Sequence, residues 1–140
     1  MQITQISIFL ENKSGRLAEV IVILKKANIK ILALSLADTT DFGILRMIVN
    51  NNEKAEHTLK KEGFTVGKTN VLGIEIKDFS KSLDKILAPL AEFNVNVEYV
   101  YSFLNPKVKN PVMIFRFDNI DKAISILEKQ SIKIIKKQDL

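Results

Sequence analysis

The segment Ala27-Asn28-Ile29-Lys30-Ile31 has a counterpart 66 residues later, Phe93-Asn94-Val95-Asn96-Val97, and this repeat predicts the fold. The same offset aligns residues 6–36 with residues 72–102, so that Leu17, Leu24 and Ile31 match Leu83, Leu90 and Val97. Beyond the middle of each half the offset becomes 68. Five identical residues then align: Asn51, Lys54, Ala55, Leu59 and Lys61 match Asn119, Lys122, Ala123, Leu127 and Lys129. A match that survives on both sides of a two-residue insertion indicates two homologous units of about 70 residues. We place them at residues 1–68 and 69–140.

Composition limits the kinds of protein this can be. A chain of 140 residues with 46% hydrophobic content can bury two modest cores or one shared core. A lone unit of about 70 residues would be marginally stable, so we expect the halves to pack together or the chain to dimerise. The chain has no cysteine and a single histidine, His57, which excludes disulfides, thiolate chemistry and a His/Cys metal site. No metal or other cofactor is expected.

The charge and the N-terminus predict where the protein works. The formal net charge is +5 with a pI near 9.4, but the excess lysines are scattered. Scattered lysines indicate solvated faces rather than a nucleic-acid partner. The start Met1-Gln2-Ile3-Thr4 lacks a basic segment followed by an apolar one, and no apolar run approaches the length of a membrane span. We expect a soluble cytoplasmic protein with no membrane partner.

Hydrophobic periodicity predicts the same element order in both halves. In the first half we predict strands from Ile3 to Leu10, over 29–37, over 44–49 and from Phe64 onwards. The first helix is predicted over 15–27, with N-cap oxygens from Asn12 and Ser14. The second helix is predicted over 53–62, capped by Asn52 and ended by Gly63. In the second half we predict strands over 71–77, 95–103, 111–117 and 132–136, with helices over 81–93 and 120–130. The order β-α-β-β-α-β predicts an α+β fold of two tandem ferredoxin-like units with antiparallel sheets.

This fold serves many functions, so residues must separate them. An RNA-recognition module would carry stacking aromatics on its third strand, and residues 43–49 carry none. A metal chaperone of this topology would need cysteines. An enzyme resembling acylphosphatase would pair an arginine in the first loop with an asparagine on a strand. Arg16 is available for that role, but no asparagine partner can be assigned.

The loop between the first strand and the first helix is the best candidate site. Its residues are Asn12-Lys13-Ser14-Gly15-Arg16-Leu17. A glycine there allows a ligand close to the backbone, and the free N–H groups at a helix N-terminus suit a carboxylate such as that of an amino acid. The alternative is that Gly15 only permits a tight turn into the helix.

Three segments together resemble the ACT domain family, the small regulatory modules that bind amino acids: residues 6–17, residues 27–31 and residues 38–46, the last containing Asp41-Phe42-Gly43-Ile44-Leu45-Arg46. The chain looks especially like the stand-alone tandem ACT proteins of bacteria and archaea. The resemblance implies a ligand site at Asn12, Gly15, Arg16 and Leu17. Ser14 stands where the family often has proline, and serine can instead cap the helix.

Other residues are candidates for the same site. Asp38 and Asp41 offer carboxylates to a ligand ammonium group, although aspartates in hairpin loops usually bond local amides. Tyr99 and Tyr101 share one face of a strand and are candidates for lining a pocket opposite the Gly15 loop of the same or a neighbouring subunit, with plain sheet packing as the alternative. In the second half Lys81 stands where Gly15 would be, and a side chain there resists the positive φ that glycine allows. We therefore expect ligand in the first half and an altered or empty site in the second.

These observations predict a non-enzymatic regulatory protein that binds a small amino acid at the first loop and at a domain or subunit interface. Because strand 29–37 is apolar on both faces, we also expect a homodimer. The protein would act on a separate metabolic enzyme or regulator. Two alternatives are a structural accessory subunit with a vestigial ligand site and a small enzyme.

Overall fold

The computed structural model describes residues 1–39 and 41–140, so Thr40 of the predicted hairpin loop lies outside the described residues. The chain folds into two compact units. The first unit comprises Thr4–Thr69, and the second comprises Asn70–Leu140 together with Met1–Ile3. The division into independent domains at residues 68 and 69 stays a prediction.

The first half of the chain contains strand β1 (Ile3–Glu11), helix α1 (Arg16–Lys26), strands β2 (Ile31–Asp38) and β3 (Phe42–Val49), helix α2 (Asn52–Lys61) and the start of strand β4 (Thr65–Glu75). Strand β3 pairs antiparallel with β1, where Ile8 faces Leu45, and with β2, where Leu36 faces Leu45. Strand β2 is therefore the edge strand of this unit.

The second half contains helix α3 (Phe79–Glu92), strands β5 (Val97–Phe103) and β6 (Val112–Phe117), helix α4 (Ile120–Lys129), the two-residue strand β7 (Ile134–Ile135) and a short 3-10 turn (Lys137–Asp139). Strand β6 pairs antiparallel with β4 and β5, and β7 pairs antiparallel with β4. The predicted class, two tandem ferredoxin-like α+β units with antiparallel sheets, is confirmed.

Two strands, β4 and β7, differ from their predictions. We expected a fourth strand in the first half and a separate first strand in the second half, joined by residues 67–70. Both are parts of the continuous strand β4, because residues 67–70 are themselves extended. The last predicted strand, over 132–136, is reduced to the two residues of β7.

The strand registers show that the two halves are structural repeats. In the first half Phe9 faces Ile44, and at the repeat-equivalent positions of the second half Glu75 faces Val112. Phe9 and Glu75 are 66 residues apart, whereas Ile44 and Val112, which follow the loop of each hairpin, are 68 residues apart. The two inserted residues therefore lie in the loop that joins β5 to β6.

Each unit has its own apolar core between its helices and one face of its strands. In the first unit the core residues are Ile6, Ile8, Leu10, Val20, Leu24, Ile29, Leu45, Met47, Val49, Ala55, Leu59, Phe64 and Val66. In the second they are Leu72, Ile74, Ile76, Ile86, Leu90, Val95, Met113, Phe115, Phe117, Ala123, Ile126, Leu127 and Ile134. The alternation of these residues along the strands is what fixes the register.

All four helices end in the same way. The residue after each C-cap has positive φ: 56° at Asn28, Asn94 and Ser131, and 89° at Gly63. The next residue's N–H then donates back to the carbonyl five positions earlier, as from Ile29 to Leu24 at 3.0 Å. This is the Schellman arrangement, in which glycine is favoured and asparagine is tolerated. The predicted stops at Asn28 and Gly63 follow from it.

The N-terminal caps correct the sequence analysis at two helices. Asn51, not Asn52, caps α2 by accepting from the Lys54 N–H at 3.0 Å, while Asn52 is buried in the first turn. Neither Asn12 nor Ser14 caps α1, because the N-cap residue is Gly15, whose φ is 89°.

The positive-φ residues that follow the helix C-caps lead to a stability prediction. Ser131→Gly should raise the free energy of unfolding by about 0.5–1 kcal/mol, because serine has no special tolerance for positive φ. Gly63→Ala should lower it by about 1 kcal/mol for the same reason. Thermal and urea unfolding measure both changes, with Asn94→Gly as a control expected to change least. A lower melting temperature for Ser131→Gly would contradict this account.

Candidate functional site

The N-terminus of α1 is open. Gly15 holds the left-handed conformation, with φ 89° and ψ −13°, and its carbonyl accepts from the Glu19 N–H at 3.0 Å. Among the described residues no side chain caps this helix end, so first-turn N–H groups remain available. Nothing lies within 4 Å of where a Cβ on Gly15 would be. Free N–H groups and the helix dipole favour an anion at such a terminus.

The other three helices begin with a side-chain cap. Asn51 and Asn119 accept from the N–H groups of Lys54 and Lys122, at 3.0 and 3.1 Å. Asp78 accepts from the N–H of Lys81 at 3.3 Å. These caps satisfy N–H groups that α1 leaves open.

The repeat explains why the second loop differs from the first. Asp78 is the repeat equivalent of Asn12, and α3 begins at Phe79, directly after it. In the first unit the chain instead continues through Gly15 before the helix begins at Arg16. Lys81 therefore lies inside the first turn of α3, where no positive φ is needed. The second unit has replaced the open loop with a capped helical turn.

A small cavity of about 70 Å³ lies beside the open loop. Its lining residues come from β1, the loop, α1, β2 and β3: Leu10, Glu11, Asn12, Lys13, Arg16, Leu17, Leu36, Asp38 and Gly43. Gly43 is buried on β3, where a Cβ would lie 3.3 Å from Leu36 Cδ1 and 3.9 Å from Leu10 Cβ. A larger residue at this position would therefore fill part of the cavity.

Arg16 is the most unusual side chain of the site. Its guanidinium carbon lies 4.6 Å from the centre of the Phe64 ring, and its Nη1 donates to Glu19 Oε2 at 2.7 Å. The side chain is 24% exposed, yet its Nε is buried with no hydrogen-bond partner among the described residues. A buried donor without an acceptor costs about 1–3 kcal/mol. A ligand carboxylate is an acceptor that would remove this cost.

Both signs of charge surround the cavity. Lys13 and Arg16 are cationic, and Glu11 and Asp38 are anionic. Lys13 Nζ lies 3.0 Å from Glu11 Oε2. The hydrogen bond and positive charge of Lys13, with a smaller effect of Arg16, lower the pKa of Glu11 below its ordinary value. Glu11 is thus ionised at neutral pH, and the mixture of charges suits a zwitterion.

The structure brings four predicted site residues together at the cavity: Asn12, Arg16, Leu17 and Asp38. Ser14 and Gly15 belong to the same loop, and Ser14 is exposed without lining the cavity. The Asp41 carbonyl accepts from the Asn12 N–H at 3.1 Å, which ties the loop to the β2–β3 hairpin.

The two predicted tyrosines belong to the second unit. Tyr99 and Tyr101 are half-buried on β5, opposite Arg116 and Ile114 of β6. Their place opposite the Gly15 loop stays a prediction.

Sequence reasoning missed Leu10, Glu11, Lys13, Leu36 and Gly43, which also line the cavity. Two signals for them were present. Leu36 and Asp38 are two positions apart in a strand and so share a face. A glycine inside a strand pattern, as at Gly43, indicates a close approach or a missing side chain.

In the part of the chain that the structure describes, no cluster of three or more His, Cys, Asp or Glu residues could hold a metal ion. Within those same residues, no helix has the length and apolar character needed to cross a bilayer.

The Arg16 geometry predicts that this residue contributes little to stability. Arg16→Met should leave the free energy of unfolding within about 1 kcal/mol of wild type, because the lost cation–π contact is offset by removal of the buried Nε donor. Thermal unfolding without added ligand measures this. Phe64→Ala is the contrasting variant and should cost about 3–5 kcal/mol through loss of core packing. A large loss of stability in Arg16→Met would show that the guanidinium is structural.

Comparison with known proteins places this geometry in a family. A family described as "ACT domain pair" matches residues 1–140. The crystal structure of protein BT0572 from Bacteroides thetaiotaomicron is 42% identical, with 99% of this chain and 95% of that chain covered and a TM-score of 0.89. The fold is also shared with the regulatory subunit of aspartate kinase from Thermus thermophilus, in its ligand-free form, at 13% identity, 91% coverage of both chains and a TM-score of 0.62. No match was found among curated proteins.

Proposed function

Because the chain belongs to the ACT domain family, as a pair of ACT domains matched over residues 1–140, we propose that it is a regulatory protein that binds a small amino acid in its first unit. The observation that carries this proposal is the open N-terminus of α1 beside the buried, unpartnered Nε of Arg16. The first-turn N–H groups and Nε both lack an acceptor, and a ligand carboxylate would supply one once a shift of the Arg16 side chain uncovers Nε.

The other residues that line the cavity favour an amino acid over a simple anion as the ligand. Asp38 and the ionised Glu11 offer carboxylates to an ammonium group. Leu10, Leu17 and Leu36 give an apolar wall for a side chain. A volume of about 70 Å³ favours a small amino acid. Ser14, Gly15 and Asp41 shape the loop in this proposal, and Tyr99 and Tyr101 are kept as candidates for a further wall.

The proposed action is regulation of a separate metabolic enzyme or regulator, without catalysis by this chain. A protein of the same fold, covered over 91% of its length, is named the regulatory subunit of aspartate kinase in Thermus thermophilus. An amino acid can shift such a partner's state only by the difference between its affinities for two conformations.

The alternative is an accessory subunit whose ligand site is vestigial. The loop before α3 in the second unit fits this alternative, because the Asp78 side chain caps the N-terminus of α3. The two readings differ in whether the first unit still responds to amino acids.

A thermal-shift screen over the twenty amino acids tests the proposal. An amino acid present at 100 times its dissociation constant should stabilise the fold by about 2.7 kcal/mol. We expect one or a few small amino acids to raise the melting temperature. If none does so at millimolar concentration, the accessory reading replaces the regulatory one.

Two matched variants then locate the binding in one unit. Gly15→Val should weaken amino-acid binding at least tenfold, or about 1.4 kcal/mol, because valine resists the positive φ that opens the loop. Lys81→Ala at the equivalent position should change affinity by less than about twofold, as Lys81 is exposed in a capped helix. Calorimetry measures affinity, and circular dichroism checks that each variant is folded. Unchanged affinity in folded Gly15→Val would place the site elsewhere.

A homodimer is part of the proposal. Leu34 and Leu36 are 45% and 47% exposed on the edge strand β2, and Leu36 also lines the cavity. A second copy covering this strand would bury both side chains and close one side of the ligand site. Sedimentation should show a species above the 15.9 kDa monomer at micromolar concentration. Leu34→Lys should shift it towards the monomer, and a wild-type chain that sediments only as a monomer would rule out the dimer.

A further inference from the structure

The second unit contains a hollow at the position that Arg16 fills in the first unit. The repeat equivalent of Arg16 is Ser82, and the equivalent of Phe64 is Ile132. The long guanidinium side chain and the ring beneath it are therefore both replaced by smaller groups. A space of about 180 Å³ remains, lined by Ile74, Glu75, Lys77, Ser82, Lys85, Ile86, Ile132 and Lys133.

The floor of this hollow is apolar and its rim is positively charged. Ile74 and Ile86 are buried, and Ile132 is half-buried against the same core. Lys77, Lys85 and Lys133 are exposed around them. None of the three lysines forms an ion pair with another residue in the part of the chain that the structure describes.

The single carboxylate at the rim is already engaged. Glu75 Oε1 accepts from Asn110 Nδ2 at 2.7 Å, which holds it to the β5–β6 loop. Three cations and one anion leave the hollow with two excess positive charges. Like charges gathered at a concave surface attract a counterion, most strongly where apolar walls exclude water.

We propose that this hollow binds a small aliphatic dicarboxylate. Two carboxylate groups would match the two excess positive charges, with the lysine ammonium groups as donors. A short methylene stem would lie on the isoleucine floor, which an inorganic anion would leave exposed. Exposed lysines commonly form only a solvated protein surface. Here, however, the three lysines surround a hollow with an isoleucine floor. The site does not use the first unit's loop, so it stands apart from the proposed amino-acid site.

Glutarate is a suitable probe, with butyrate and inorganic phosphate compared at matched ionic strength. Amide signals from residues 82–86 and 132–133 in a ¹⁵N-labelled chain should shift saturably with glutarate. Butyrate should bind at least tenfold more weakly, and phosphate should produce no saturable shift at these residues. Equal responses to all three anions, or a linear response to glutarate, would reduce the hollow to a nonspecific charged surface and overturn the proposal.

Variants distinguish the hollow from general charge attraction. Lys85→Gln with Lys133→Gln should weaken glutarate binding at least tenfold, while Lys81→Gln with Lys129→Gln, an equal loss of charge at exposed lysines outside the hollow, should leave it within twofold. Ser82→Arg restores the first unit's side chain and should abolish binding by filling the space. If that variant does not fold, the surface lysine variants still decide the question. The Lys85/Lys133 variant should keep its response to amino acids, so failure of either proposal can be recognised separately. Unchanged glutarate affinity in that variant would refute the site.

Discussion

The left-handed backbone at Gly15 determines how β1 passes into α1, and the geometry of the first unit's site depends on that passage. With φ 89° the residue ends the loop without a side-chain cap, and α1 begins at Arg16. At the equivalent place in the second unit, Asp78 closes the helix end by accepting from Lys81. The same fold therefore presents free N–H groups in one copy and satisfied ones in the other. The difference is that α3 begins three repeat positions earlier than α1.

The exchange of Arg16 for Ser82 is a second difference between the copies. In the first unit the guanidinium covers Phe64 and pairs with Glu19, so the equivalent space is filled. In the second unit the space is open, and lysines surround it. Both changes are compatible with the fold because they involve the loop and the outer edge of the core, where burial constrains residue type least. A duplicated domain can in this way keep one register and acquire two different surfaces.

The sequence predicted the features that depend on repeated local chemistry. The element order, the repeat and the stops at Asn28 and Gly63 all follow from periodicity and from residues that tolerate positive φ. The N-terminal caps were wrong at α1 and α2, because adjacent polar residues such as Asn51 and Asn52 are equally good acceptors and only the backbone angles choose between them. Strand β4 was divided in the prediction because Gly67 and its polar neighbours are typical of a turn, whereas in the structure they lie within the continuous strand.

The candidate site was predicted in its loop and at Asp38, at the end of β2. Asn12, Arg16 and Leu17 are close in sequence, and a local motif includes them directly. Leu36 and Gly43 reach the cavity through the pairing of β2 and β3, and the strand spacing and the glycine pattern indicate these residues without showing which site they line. The charge character of the site also required the structure, since the Glu11–Lys13 ion pair and the buried Nε of Arg16 depend on side-chain positions.

The buried Nε of Arg16 lowers the stability of the unliganded first unit. Native domains are stable by only about 5–15 kcal/mol, so an unsatisfied donor worth about 1–3 kcal/mol is a large fraction of that margin. Methionine at position 16 would cover Phe64 without that cost, so packing alone does not account for the arginine. A ligand carboxylate that accepts from Nε would recover the cost on binding, while the helix N-terminus contributes its N–H groups to the same anion. The guanidinium already rests on Phe64, which directly precedes β4. A change in its position on binding would therefore act first on the packing of Phe64 in the first unit's core.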